Sequence, residues 1–282
     1  MFLFNNELGG TIPRELGKLE QLQFMNLSGN KLGGTIPPGL GKLAELQQMN
    51  LSYNKLMGVI PRGLRKLSAL STLDLSFNEL SETIPSDLGQ LRGLTWISLN
   101  NNKLRGTVPS EIVQLISLEC MDLSFNKLRG TIPIEFRKLK VLKYIALNNN
   151  KLGGTIPTEL AQLKALEEVF LNNNNFGGTI PSGLGSLIKM YYIDLNNNKL
   201  HGTIPTEFGE LQQVERISLN NNKLVGTIPS EFGILIALRA VNLEFNDLSG
   251  TVPAAFCKLR SPPDIFADCI EKVKCSCCAS CT

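Results

Sequence analysis

One histidine, seven cysteines and a recurring set of carboxylates are the groups in this 282-residue chain that could do chemistry. His201 is the only imidazole, so no two-histidine metal site and no duplicated Ser/His/Asp relay can form. Its position elsewhere reads Gly33, Met57, Ser81, Arg105, Arg129 and Val225, which marks a variable, exposed place. Glu15, Asp87, Glu111, Glu135, Glu159, Glu207 and Glu231 each stand just after a proline, as a solvated edge and not as an acid–base pair. The stretch GTIPRELGKL is superficially like a phosphate loop, but the spacing is wrong and no Ser or Thr follows Lys18. Cys120 lies beside a core position with no base near it, so it reads as a shielded thiol and not as a nucleophile. No catalytic site, metal site or cofactor is expected.

The other six cysteines, Cys257, Cys269, Cys275, Cys277, Cys278 and Cys281, crowd the C-terminus. They allow three bridges in fifteen connectivities. Cys278 and Cys281 have the CxxC spacing of a zinc ligand pair, but no histidine or separated second pair accompanies them. A disulfide-bonded cap is the expectation, and with it an oxidising, secreted or cell-surface setting for the parent protein.

Composition excludes other classes. Charged residues are 19% of the chain and the net charge is +3, too mild for a nucleic-acid or acidic-membrane partner. No apolar run approaches the roughly 18 residues of a membrane span. The opening MFLFNNELGG has no basic segment before its apolar residues, so it is not a secretory signal. With aromatics at 6%, the core must be aliphatic.

The elements that position these groups follow from a strict period of 24 residues. Prolines 13, 37, 61, 85, 109, 133, 157, 181, 205, 229 and 253 keep it, and so do leucines from Leu3 to Leu243. So does a column of asparagines at Asn6, Asn30, Asn54, Asn78, Asn102, Asn126, Asn150, Asn174, Asn198, Asn222 and Asn246. In WISL, Ile97 and Leu99 alternate with Trp96 and Ser98, the period of a strand with one buried face. One such strand per repeat stacks into a parallel sheet with a step of about 4.8 Å. GTIP then turns the chain, its proline ending the pairing, and xxLGxL suits a short helical turn. Glycine fills the Gly10, Gly34, Gly58 column except at Glu82, where a distorted edge is expected.

The unit LxxLxLxxNxLxGTIPxxLGxL is similar to the plant-type leucine-rich repeat, over about residues 1–259. The resemblance implies an α/β solenoid, a right-handed superhelix of about 10–11 repeats. It would have a concave parallel sheet, short second strands and 3-10 or helical turns on the convex side. Residues 257–282 form a separate cysteine-rich cap, similar to the tails of secreted diatom-type leucine-rich repeat proteins. The chain starts inside a repeat, with Met1, Leu3, Asn6 and Leu8 in repeat columns, so a fragment, an incomplete gene model or a cap lost from a longer parent is expected. The family includes receptor-like proteins, receptor-kinase ectodomains and polygalacturonase-inhibitor-like proteins. A non-catalytic recognition module for a peptide, protein or glycan is therefore implied, with a co-receptor as a further partner. Inhibition of a cell-wall polysaccharide hydrolase is the nearer alternative.

Two variable columns face the concave side, and they gather Trp96, Tyr144, Phe170 and Tyr192 with Asp122, Asp194 and Arg216. Aromatics flanked by charge make anchors for a peptide or a sugar ring. Asn26 and Asn50, in the same columns, are Asn-x-Ser glycan acceptors. Lysines 31, 55, 103, 127, 151, 199 and 223 form a positive rail. The threonine row from Thr11 to Thr251, and paired asparagines such as Asn100 and Asn101, offer a third reading, adsorption to ice or mineral. Asn102 is expected to turn inward against the backbone, stacked on Asn78 and Asn126. Asn100 and Asn101 are expected to face out.

Overall fold

The computed structural model describes residues 1–257, 263–268, 273–274 and 280–281. The chain divides into two compact units, Met1–Leu142 and Lys143–Thr282. Each is a solenoid.

In the first unit the strands Phe24–Asn26, Gln48–Asn50, Thr72–Asp74, Trp96–Ser98 and Cys120–Asp122 pair in parallel. Their register is the sequence period itself: Phe24 lies beside Gln48, Gln48 beside Thr72, Thr72 beside Trp96, and Trp96 beside Cys120. Opposite them run the 3-10 turns Arg14–Lys18, Pro38–Lys42, Arg62–Lys66, Ser86–Gln90, Ser110–Gln114 and Ile134–Lys138. The proline before each turn presets the entry: Pro37 has φ −64° and ψ 127°, and its carbonyl accepts from Leu40 N at 3.0 Å. Between sheet and turns the core is almost wholly aliphatic, and Leu40, Leu43, Leu46, Met49 and Leu51 are fully buried. Each such side chain contributes about 1.5–3 kcal/mol by leaving water. That contribution depends on the coil above and the coil below, so no single repeat holds it alone.

The second unit repeats the pattern with strands Tyr144–Ala146, Glu168–Phe170, Tyr192–Asp194, Arg216–Ser218 and Ala240–Asn242. Asp264–Ala267 pairs with the last of these, Ala240 beside Asp264, and Ser280–Cys281 pairs with Asp264–Ala267. The sheet thus continues past Leu259, where the sequence motif stops, and Ile265 is buried as Val241 is. Cys269, Cys275, Cys277 and Cys278 lie outside the described residues, and only the backbone of Cys257 and Cys281 is described.

Short second strands flank the turns, among them Glu79–Thr83 and Lys103–Gly106 in the first unit. Here the glycine column has a double cause. Gly34 and Gly106 have φ of 69° and 80°, which L side chains seldom adopt. A Cβ on Gly106 would also meet the Thr83 methyl at 2.8 Å, so the threonine of one coil needs the glycine of the next. The expected distortion at Glu82 does not occur. Glu82 takes the same left-handed angle, φ 67°, and its carboxylate accepts from Arg105 Nη2 at 2.6 Å. The backbone geometry of the coil is imposed by its neighbours, and a strained residue follows it at a cost of roughly 1–2 kcal/mol.

The asparagine ladder turns inward against the backbone, as its column implies. Asn102 Nδ2 donates to Leu75 O at 3.0 Å and to Leu99 O at 3.1 Å, and its Oδ1 accepts from Leu80 N at 2.9 Å. The rungs therefore join through main-chain groups of adjacent coils. Asn30, Asn54, Asn78 and Asn126 each donate back to the preceding coil in the same way. In the second unit Asn174, Asn198, Asn222 and Asn246 do so too. Asn150 closes its own turn by donating to Leu147 O at 3.1 Å.

Candidate functional site

Side chains on the open face of each strand alternate with core residues, so they are presented in parallel rows. In the second unit one row reads Tyr144, Glu168, Tyr192, Arg216 and the next reads Ala146, Phe170, Asp194, Ser218, in direct register. Three rings close into one surface. Tyr144 and Phe170 have centroids 5.5 Å apart, and Phe170 and Tyr192 are 4.9 Å apart, both pairs tilted. Such tilted geometry is favoured by the ring quadrupoles. All three are half-buried, while Arg216, beside Tyr192, is exposed. The Tyr191 hydroxyl donates to Glu168 Oε1, which fixes the carboxylate at the edge of this surface. That bond and the neighbouring carboxylates push the Tyr191 phenol up to about 12. Sequence reasoning missed Glu168 and Tyr191, although the tyrosine pair at 191–192 was the available signal.

Of the residues expected at the site, Tyr144, Phe170, Tyr192, Asp194 and Arg216 share the second unit. Trp96 and Asp122 belong to the first unit, on neighbouring strands with Ser98 beside Asp122. Trp96 is exposed and stands beside the buried thiol of Cys120.

Asp122 and Asp194 have a structural task that their sequence column did not suggest. Asp122 Oδ1 accepts from Ser124 N at 2.9 Å and from Ser124 Oγ at 2.6 Å, closing the turn at the strand end. Asp194 does the same with Asn196 N at 3.1 Å and Nδ2 at 2.6 Å, and is only 8% exposed. Burial raises the Asp122 carboxyl above its usual range against the pull of the Ser124 bonds. Burial raises Asp194 to about 6, with the Asn196 bonds opposing.

Asn26 and Asn50 make the same turn, each accepting from Ser28 or Ser52 N at 3.0 Å and Oγ at 2.7 Å. The serine that makes each a glycan acceptor is thus its own hydrogen-bond partner. The expected positive rail is partly neutralised: Lys31 pairs with Glu7, and Lys103 with Glu79 at 2.8 Å. Asn100 and Asn101 also have local roles. Ser98 Oγ donates to Asn100 Oδ1 at 2.7 Å, and Asn101 carries a left-handed φ of 53°.

The chain belongs to the leucine-rich repeat family. Two descriptions of that repeat match it, one over residues 35–80 and 188–261, the other over 21–43, 93–115, 117–139, 141–163 and 165–187. The plant-type form seen in the sequence agrees with its similarity to solved plant receptors. Over 96% of its length it is similar to the plant peptide hormone receptor RGFR1 in complex with RGF2, at 32% identity and a TM-score of 0.92. Over 93% it is similar to a TDR receptor, at 37% identity and a TM-score of 0.90. It spans 43% and 45% of those two chains, less than half their length. It is also similar to a plant ice-binding protein, at 26% identity and a TM-score of 0.72, covering 92% of this chain and 80% of that one. No curated protein sequence matches the chain. No helix among the described residues is long and apolar enough to cross a membrane.

Proposed function

We propose that the chain is a non-catalytic, extracellular recognition module that binds an extended peptide or protein segment on the strand face of its second unit. The observation that carries this reading is the contiguous surface of Tyr144, Phe170 and Tyr192, with cationic Arg216 at one side and anionic Glu168 within it. Half-buried rings on a rigid sheet lose little freedom on binding and give apolar area with a polar rim. The complex of the similar plant peptide hormone receptor RGFR1 with RGF2 supports a ligand of this class. Trp96 and Asp122 remain candidates for contacts made by the first unit.

Peptides selected on the wild-type protein from a displayed random library provide the test. Phe170→Ala and Tyr192→Ala are each expected to weaken binding by about 2 kcal/mol, roughly thirtyfold in Kd, by isothermal titration. Equal affinity for wild type and both variants would overturn the proposal.

A second reading is favoured by one specific observation. Thr155, Thr179, Thr203, Thr227 and Thr251 stand exposed in one uninterrupted row of the second unit, and a plant ice-binding protein shares this fold. Regularly spaced hydroxyls suit adsorption to a crystal lattice.

A further inference from the structure

A stacked pair of rings lies apart from the strand face, at the strand exits of the first unit. Tyr53 and Phe77 occupy a column that holds Asn5, Gly29 and Asn101 in other coils, and lone rings at Phe125 and Phe245; only Tyr53 and Phe77 place rings in adjacent coils. The backbone there is left-handed, with φ 52° at Tyr53 and 51° at Phe77. Asparagine and glycine adopt that region readily, and a ring-bearing residue does so at a cost. The two rings lie 4.1 Å apart and within 9° of parallel, yet they are 57% and 37% exposed. Core packing therefore does not account for them.

The backbones that carry the rings are tied on both sides, and the rings brace each other by stacking. Tyr53 N donates to Ser76 O and Phe77 N to Asn100 O, each at 3.0 Å. Ser52 before Tyr53 is tied to Asn50, and Asn54 after it donates to Leu27 O at 2.9 Å. Beyond Tyr53 comes Gly29, which has no side chain. Asn5 leans over that glycine, so closely that a Cβ there would lie 2.2 Å from Asn5 Oδ1. The outer face of the Tyr53 ring is thus flanked by Gly29 and the Asn5 amide instead of by a third ring.

We infer that Tyr53 and Phe77 form a platform for a pyranose ring of a neutral glycan. A flat, exposed, immobilised aromatic face offers its electron-rich surface to the C–H face of a sugar. The amide of Asn5, on the Tyr53 side, supplies a donor and an acceptor for hydroxyls around that ring. The second unit's rings carry a charged rim of Arg216 and Glu168 that suits a peptide, whereas this ridge presents a bare ring face that suits a neutral sugar. The fixed backbone removes the ordering cost that would otherwise weaken so small a contact.

The test uses unglycosylated full-length protein titrated with cellohexaose, xylohexaose and chitohexaose. Saturation-transfer NMR reports contact, and isothermal titration reports affinity. At least one of the three is expected to bind, with transfer to the axial ring hydrogens. The double variant Tyr53→Asn/Phe77→Asn should weaken it at least about tenfold with no loss of melting temperature, since asparagine is the native residue of this column at Asn101. Tyr192→Ala should leave glycan binding unchanged, which separates this platform from the second unit's strand face. Failure of all three sugars to bind at about 10 mM, or equal binding by the double variant, overturns the inference.

Discussion

At the scale of the residue, a side chain's neighbour two positions on decides its role more than its column does. The variable column holding Asn26, Asn50, Asp122 and Asp194 was read as a ligand-facing row. In the structure each of these residues caps its own strand through the residue at i+2. The signal was present in NLS, DLS and DLN, the spacing by which Asn and Asp hydrogen-bond their own backbone two residues on. Asp194 shows what the task costs. Its folded value, about 6, lies above the ordinary carboxylate value, so the folded state holds the proton more tightly than the unfolded chain. Its contribution to stability is full below about pH 4 and is lost as pH rises through the folded value. Asp194→Asn keeps an acceptor for Asn196 and removes the charge. It should raise stability by about 1–3 kcal/mol at pH 7, with the gain vanishing near pH 4 by chemical denaturation. A gain that is the same at both pH values would refute the account.

At the scale of the element, the coil was legible because each core position recurs. Sheet, turn and register follow from leucine, proline and asparagine columns whose period is the register of the strands. What was not legible is where the constraint is stronger than residue preference. Glu82 holds a glycine's angle, and Tyr53 and Phe77 hold an asparagine's, because hydrogen bonds from the coils on either side impose it. Asn102 is the clearest of these ties. Its amide satisfies a carbonyl in its own coil and both a carbonyl and an N–H of the preceding coil. Asn102→Ala leaves those groups buried and unpaired, so a loss of about 1–3 kcal/mol is expected in urea unfolding. Affinity for the peptide ligand of the second unit should not change. An unaltered midpoint would show that water replaces the amide.

At the scale of the whole chain, two stacks of coils carry faces of different character. The aromatic surface was partly foreseen: Tyr144, Phe170 and Tyr192 do converge, and Arg216 lies beside them. Glu168 entered unannounced because its role depends on the hydroxyl of Tyr191 in the next coil. The exposed threonine row belongs to this scale as well, since adsorption to ice requires many coils acting together. Thermal hysteresis measured on the intact protein checks it. Growth arrest that is abolished by Thr179→Lys and Thr203→Lys would support adsorption, and freezing without hysteresis would dismiss it.

The glycine that receives the threonine methyl of the preceding coil has a consequence for how such a chain changes over generations. A threonine and its receiving glycine sit 23 residues apart, as Thr83 and Gly106 do. A gain or loss of 24 codons at once keeps every such partnership, because each coil meets an equivalent neighbour. A gain or loss of any other length parts the threonine and glycine whose pair spans the scar, and it breaks the match of strand and turn between the two coils that meet there. Descent is therefore free to count in whole coils and in little else, and the faces are where single substitutions can experiment.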